Sequence, residues 1–323
     1  MRWLEQAWYG PRAWLRPLAP LEHLFSVLAR RRRQQFSRGE KSVWRAPVPV
    51  IVVGNISIGG TGKTPLTVAL IEHLRQAGFN PGVISRGYGA KAPRYPWRVS
   101  PDDSPVEAGD EPLMLVRRTG CPLVIDADRS AAAKALLETA DCDLILSDDG
   151  LQHYALHRDL EIAVVDGQRG LGNGHCLPVG PLREPPERLQ EVDFVVVNGQ
   201  GWNYPHAHRM QLRPARFYSL AGEASTPHLG TVNAIAGIGN PQRFFSALKE
   251  LGYQVIEHPF PDHHPFTETE LDFNNPHPVI MTEKDAVKCR AFAAPGRYYL
   301  AVEAEISPAF FDSLSGRIAA LKP

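Results

Sequence analysis

Residues 50–64 read VIVVGNISIGGTGKT, an apolar run that enters a glycine-rich loop and stops at Gly62-Lys63-Thr64. The apolar part predicts a buried strand. Backbone N–H groups of the loop, Ser57-Ile58-Gly59-Gly60-Thr61-Gly62-Lys63-Thr64, point inward and cradle phosphate oxygens. The lysine reaches the outer phosphates, and the threonine hydroxyl ligates Mg²⁺. Leu66, Ala69, Leu70 and Leu74 then recur at helical spacing, so a helix N-terminus also faces the phosphates. Strand, loop and helix in that order predict a phosphate site rather than a plain glycine turn. The general motif opens with Gly where this chain has Ser57, and here Gly59 and Gly60 supply the backbone freedom.

Strands and helices alternate after the loop. Strands are predicted at 81–85, 123–126, 143–147, 160–166 and 193–198, with helices at 112–118 and 129–139. Apolar strands separated by helices imply a mostly parallel sheet covered on both faces, whose ligands bind beyond the C-terminal strand ends. Composition changes near 199–209 (GQGWNYPHAHR). A second β-α-β run follows at 233–282, flanked by extended strands at 210–220 and 297–306 that are expected to pair as a ribbon. The expected organisation is an arm at 1–47, a P-loop core at 48–204 and a smaller α/β domain at 205–323.

The arm is distinct in composition. Residues 1–47 hold ten Lys/Arg and three Asp/Glu, a local excess of +7 in a chain whose formal net charge is zero. Trp3, Trp8 and Trp14, then Leu21, Leu24, Phe25 and Leu28, precede Arg30-Arg31-Arg32-Arg33. Tryptophan suits a membrane interface, and arginine meets anionic headgroups. An amphipathic segment lying on a membrane is the functional reading; a helix packed on its own domain is the alternative. Nucleic acid fits less well, because the aromatics do not interleave with the basic run. No stretch approaches the apolar length of a membrane span. The scattered cysteines, Cys121, Cys142, Cys176 and Cys289, have no CxxC pair and suit a reducing cytoplasm.

Several polar clusters fall at predicted strand ends. The strand at 143–147 delivers Asp148-Asp149, the arrangement that holds Mg²⁺ opposite Thr64. Asp110 is expected just before a helix, where it serves either as a cap or as a base for a hydroxyl proton. Arg86 and Tyr88, Arg129 and His153 follow strands. Asp262-His263-His264 lies in the second half.

Taken together, GNISIGGTGKTP, SRGYG at 85–89, GDEP at 109–112, DADR at 126–129, DDGLQH at 148–153, LPVGPLREP at 177–185, FPDHH at 260–264 and TEKDAVK at 282–288 resemble the tetraacyldisaccharide 4′-kinases of lipid A biosynthesis. The P-loop alone is unspecific; the ordered set is specific. The resemblance implies a P-loop NTPase-like α/β core that transfers phosphate from ATP, with Mg²⁺, to a lipid A disaccharide precursor at the cytoplasmic face of the inner membrane. It implies Asp110 as base with His263 as partner, Lys63 and Arg183 as charge stabilisers, and Thr64, Asp148, Asp149 and Glu184 toward the metal. Arg86, Tyr88, Arg129 and His153 fall where the family approaches the lipid headgroup. A peripheral monomer that does not bind nucleic acid is expected. The rivals are a membrane-associated regulatory ATPase and a kinase of a soluble small molecule. Regulatory ATPases of the deviant P-loop type carry a lysine where this chain has Ile58.

Overall fold

The computed structural model describes residues 7–10 and 13–321. Trp3 and Leu4 of the arm lie outside the described residues. Among the described residues the twelve strands are β1 (Val50–Gly54), β2 (Pro81–Ser85), β3 (Trp97–Arg98), β4 (Leu123–Ile125), β5 (Leu144–Asp148), β6 (Leu160–Asp166), β7 (Phe194–Asn198), β8 (His208–Ser219), β9 (Thr231–Ala236), β10 (Gln254–Pro259), β11 (Val279–Thr282) and β12 (Arg297–Ile306). The helices are α1 (Ala19–Ser37), α2 (Lys63–Gln76), α3 (Pro105–Ala108), α4 (Asp110–Thr119), α5 (Arg129–Thr139), α6 (Pro241–Glu250), α7 (Glu283–Cys289) and α8 (Pro308–Ala319).

Strand β1 is buried throughout because both of its faces are covered. Ile51 and Val53 enter one core cluster with Leu66, Leu70 and Leu74 of α2, while Val50 and Val52 enter another with Ala132, Ala133 and Leu136 of α5. This is the two-residue period of a strand with helices on either side. Neighbours β6, β1, β5, β2 and β4 all run parallel. The α/β class and the mostly parallel sheet are therefore as the sequence indicates.

All twelve strands belong to one sheet, in the order β10-β9-β11-β12-β8-β7-β6-β1-β5-β2-β4-β3. Its direction reverses once among β8, β12 and their neighbours. Strand β8 leaves β7 in parallel, with Val196 opposite His208 and Asn198 opposite Met210. It then pairs antiparallel with β12, from Met210 opposite Ile306 to Ser219 opposite Tyr298. Strand β11 joins the far end of this ribbon, alongside residues 297–300 of β12. The second half is thus carried past the end of the first and turned over, so the C-terminal strand ends of the two halves face each other. Both sets of loops reach one cleft, where ligands of such sheets bind. Helix α8 returns to the first half, and its Phe310, Leu314 and Ile318 are buried in the α2 cluster.

Helix α1 lies against the core by one stripe. Glu22 accepts from the Cys176 N–H at 2.9 Å and meets the His175 ring at 3.0 Å, and Phe25 packs on the core. The other stripe, Leu21, Leu24, Val27 and Leu28, is exposed. Trp8 and Leu15 are buried with Val179 in a small cluster beside Ile58.

Candidate active site

The phosphate loop is braced from outside. The Ile58 N–H donates to the Pro181 carbonyl at 2.8 Å, and the Arg183 N–H donates to the Ile56 carbonyl at 2.6 Å. Ser57 forms an antiparallel bridge to Leu182. It is thus extended, which explains why the position tolerates a side chain. Gly62 is different: its φ is +94°, and a Cβ there would sit 2.4 Å from Asn198 Nδ2. That amide comes from the end of β7 and donates to the Thr61 carbonyl at 3.0 Å. Helix α2 begins at Lys63 itself, within the loop motif and ahead of the apolar positions that indicate it. Pro65 is tolerated there because first-turn N–H groups have no intrahelical acceptor.

Parallel pairing of Val53 with Asp148 brings the end of β5 beside the loop. The two aspartates differ sharply. Asp148 is 2% exposed, and its contact with the Thr67 hydroxyl is long, at 3.5 Å. Burial, reinforced by Glu111, pushes its carboxyl up to about 7 against the opposing pull of Lys63. Asp149 meets Lys63 at 3.6 Å and Arg183 at 3.3 Å. Burial pushes it up as well, but Lys63 and Arg183 outweigh burial and hold it below the usual carboxylate range. Its φ of +49° is left-handed, a conformation that Asp visits more readily than most residues.

This donor set suits magnesium, which prefers hydroxyl and carboxylate oxygens. Asp148 is a buried carboxylate without a close cation, so a divalent ion would favour its charged form. Thr64, Asp148 and Asp149 could hold the ion. Glu184 is placed differently. Its carboxylate is buried and receives the Tyr154 hydroxyl and the Gln152 amide, the latter at 3.1 Å, with Arg188 at 3.7 Å. Gln152 also donates to the Asn55 carbonyl at 3.1 Å, so Glu184 braces the wall beneath the loop.

Asp110 and His263 meet although 153 positions separate them. His263 Nδ1 lies 3.0 Å from Asp110 Oδ2. Asp110 is the first residue of α4, and Gly109, at φ +82°, is its N-cap. The helix therefore starts two residues earlier than the sequence pattern indicates. A carboxylate in that first turn complements the helix dipole. Helix α7 closes the site from the second half. Lys284 bridges Glu111 at 3.0 Å and Asp262 at 3.2 Å, and Lys288 lies 2.8 Å from Asp285 and 3.9 Å from Asp110. Burial opposes the charge on Lys284, but Glu111 and Asp262 outweigh it and raise the ammonium above the usual lysine range.

The four expected headgroup residues divide into two pairs. Tyr88 is 70% exposed, with its ring 5.5 Å from that of His263, and Arg86 is also exposed. Arg129 is 4% exposed and donates to the carbonyls of Asp126, Ala127 and Asp149. His153 Nε2 accepts from the Arg129 N–H at 3.3 Å, at the start of α5. Burial, with the Arg129 charge, pushes this imidazole down to about 4, consistent with a neutral acceptor.

Sequence reasoning left Lys284, Lys288, Glu111, Gln152 and Asn198 without roles. The two lysines had a usable signal, since a spacing of four puts both on one helix face. Asn198 had none, because only the fold carries β7 to the loop.

The family model described as tetraacyldisaccharide-1-P 4′-kinase (LpxK) matches residues 14–319. A tetraacyldisaccharide 4′-kinase of Azotobacter vinelandii is 54% identical over 323 residues, covering 98% of this chain and 97% of its own. One from Pseudomonas putida strain W619 is 54% identical over 320 residues, covering 97% and 95%. The crystal structure of LpxK from Aquifex aeolicus in complex with ATP superposes with a TM-score of 0.81 at 27% identity, covering 94% of this chain and 99% of that one. With nearly its whole length matched in sequence and in fold, this chain belongs to the tetraacyldisaccharide 4′-kinase family.

Proposed function

We propose that this chain transfers the γ-phosphoryl group of ATP to the 4′-hydroxyl of a tetraacylated glucosamine disaccharide 1-phosphate, a step of lipid A assembly. The observation that carries the reading, beyond family membership, is the Asp110–His263 contact in the same cleft as the phosphate loop. A nucleotide switch has no use for a carboxylate–imidazole pair facing its phosphates.

The mechanism follows from what these residues can do. Loop N–H groups and Lys63 hold the phosphates and neutralise charge that develops on their oxygens. Arg183, tied to Asp149 and fixed through its own N–H to Ile56, adds positive charge at the same edge. Asp110 takes the proton of the attacking sugar hydroxyl, and His263 orients it. Thr64, Asp148 and Asp149 would hold magnesium, which would supply further charge neutralisation. Glu184 reaches that ion only if it gives up a present partner; in our reading it holds Tyr154 and Gln152. Arg86 and Tyr88 contact the acceptor headgroup, while Arg129 and His153 shape the floor beneath it. Residues 48–204 serve as the kinase core, and 205–323 as the smaller unit that brings His263.

The exposed Leu21, Leu24, Val27 and Leu28 stripe, with Arg31 and Arg32 exposed beside it, supports a peripheral arm on an anionic membrane surface, at the cytoplasmic face of the inner membrane. Among the described residues no helix is long and apolar enough to cross a membrane. We read the working unit as a monomer without a nucleic-acid partner. Transfer of ³²P from labelled ATP onto the tetraacyl disaccharide 1-phosphate, with a monoacyl sugar as control, tests the activity. Equal labelling of a water-soluble sugar would overturn the acceptor. Deleting residues 2–36 is expected to abolish binding to anionic vesicles, and undiminished binding would end the membrane reading.

A further inference from the structure

His263 has a second polar neighbour. Its Nε2 lies 3.4 Å from Lys284 Nζ. An ammonium has donors only, so it can bond to Nε2 only where that nitrogen is unprotonated. Asp262 Oδ1, the alternative acceptor for an Nε2–H, is too far away at 3.9 Å. Lys284 cannot easily swing away, because Glu111 and Asp262 grip it at 3.0 and 3.2 Å. The other groups around the pair are Lys288, 3.9 Å from Asp110, and the Tyr88 ring, 5.5 Å from the imidazole.

We propose that Lys284 is a positioning residue that sets His263 in its neutral Nδ1–H tautomer, so that Nδ1–H donates to Asp110 Oδ2 and leaves Oδ1 to receive the substrate proton. This rests on Asp110 as the proton acceptor. Both cationic or donor contacts to Asp110, from His263 and from Lys288, go to Oδ2. The tautomer of a histidine is fixed by the bond its other nitrogen makes. An Nε2–H there would point at the Lys284 ammonium, which has no lone pair to accept it. The step balances: the proton leaves the sugar hydroxyl for Asp110 Oδ1 as that oxygen bonds to the γ-phosphorus, the bond from phosphorus to the bridging oxygen breaks and ADP leaves with its electron pair, and the imidazole neither gains nor loses a proton.

The test uses the full-length protein labelled with ¹⁵N in histidine, with His263→Gln assigning the ring signals. The wild-type protein is expected to show a protonated Nδ1 and an unprotonated Nε2 at His263. An Nε2–H tautomer or an imidazolium there would overturn the proposal without any lysine variant having to fold. Lys284→Met is expected to lose that signature and about 10²-fold in kcat, with the KM for ATP little changed. Lys284→Arg, which keeps a donor, is expected to recover the tautomer and part of the rate. A folded Lys284→Met protein that keeps both the tautomer and the wild-type kcat would sink the idea. Absence of ³²P transfer by the wild-type enzyme would instead strike the proposed reaction and leave the ring spectrum to judge the tautomer.

Discussion

The two edges of the cleft are built in opposite ways. The nucleotide edge comes from neighbouring strands of the first half alone: residues 54–64 leave β1, and Asp148-Asp149 stand at the end of the adjacent β5. Backbone bonds hold it, from Ile58 to Pro181 and from Arg183 to Ile56. The acceptor edge is assembled from Asp110, His263 and Lys284, which come from separate elements and from both halves of the sheet. Side-chain bonds hold that edge. On the roles proposed above, phosphates would enter a largely preformed cradle, while Asp110 as proton acceptor would depend on how the two halves meet. Mutations should therefore separate: changes on the nucleotide edge disturb ATP affinity and stability, and changes on the acceptor edge disturb turnover.

The largest expected effect lies on the acceptor edge. Asp110→Ala should lower kcat by about 10³-fold while leaving the KM for ATP close to wild type. Steady-state kinetics decides it, and an unchanged kcat would remove Asp110 as the base. Lys63→Met is next, with kcat down by about 10²-fold and, unlike Asp110→Ala, a raised KM for ATP. If both variants change the two constants alike, the edges do not differ as argued.

Stability supplies a sharper contrast. Gly62→Ala must hold a left-handed φ and push against Asn198, which should cost roughly 1–2 kcal/mol and show as a lowered melting temperature. Lys284→Met instead leaves Glu111 and Asp262 without their ammonium, so its loss is electrostatic and should shrink with added salt. The smallest effect concerns His153, whose folded-state value of about 4 lies below its ordinary 6.5. The unfolded chain takes up that proton first, so this contribution to stability is complete above about pH 6.5 and is lost as pH falls toward 4. His153→Gln keeps an acceptor for the Arg129 N–H and should flatten stability across that window. Chemical denaturation at several pH values reads it, and an unaltered slope would rule out the neutral cap.

The residues legible in advance were those whose role follows from local pattern. VIVVG followed by a glycine loop, DLILS followed by two aspartates, and apolar positions at helical spacing each state their own element. The arm was half legible. Its leucine and arginine pattern gives an amphipathic helix, but Trp8 and Leu15 are buried against Val179, and Glu22 anchors α1 to residues 175–176. Arg129 and His153 looked like residues at the mouth of the cleft, yet backbone carbonyls and a helix N-terminus claim them. Burial decides such cases, and one sequence does not show which way a guanidinium turns.

By itself the sequence determined the phosphate loop, the parallel core and, through its ordered motifs, the family. These rest on interactions between residues close in the chain or on a fixed strand period. The ordered motifs implied Asp110 with His263; only the tertiary structure decided that Lys284 joins them in one constellation, and how the two halves bring them together. The reason is the reversal at the β8–β12 ribbon, which turns the second half over and sets its strand ends against those of the first. No local pattern encodes that direction; it depends on which ends of two long strands pair with which neighbours.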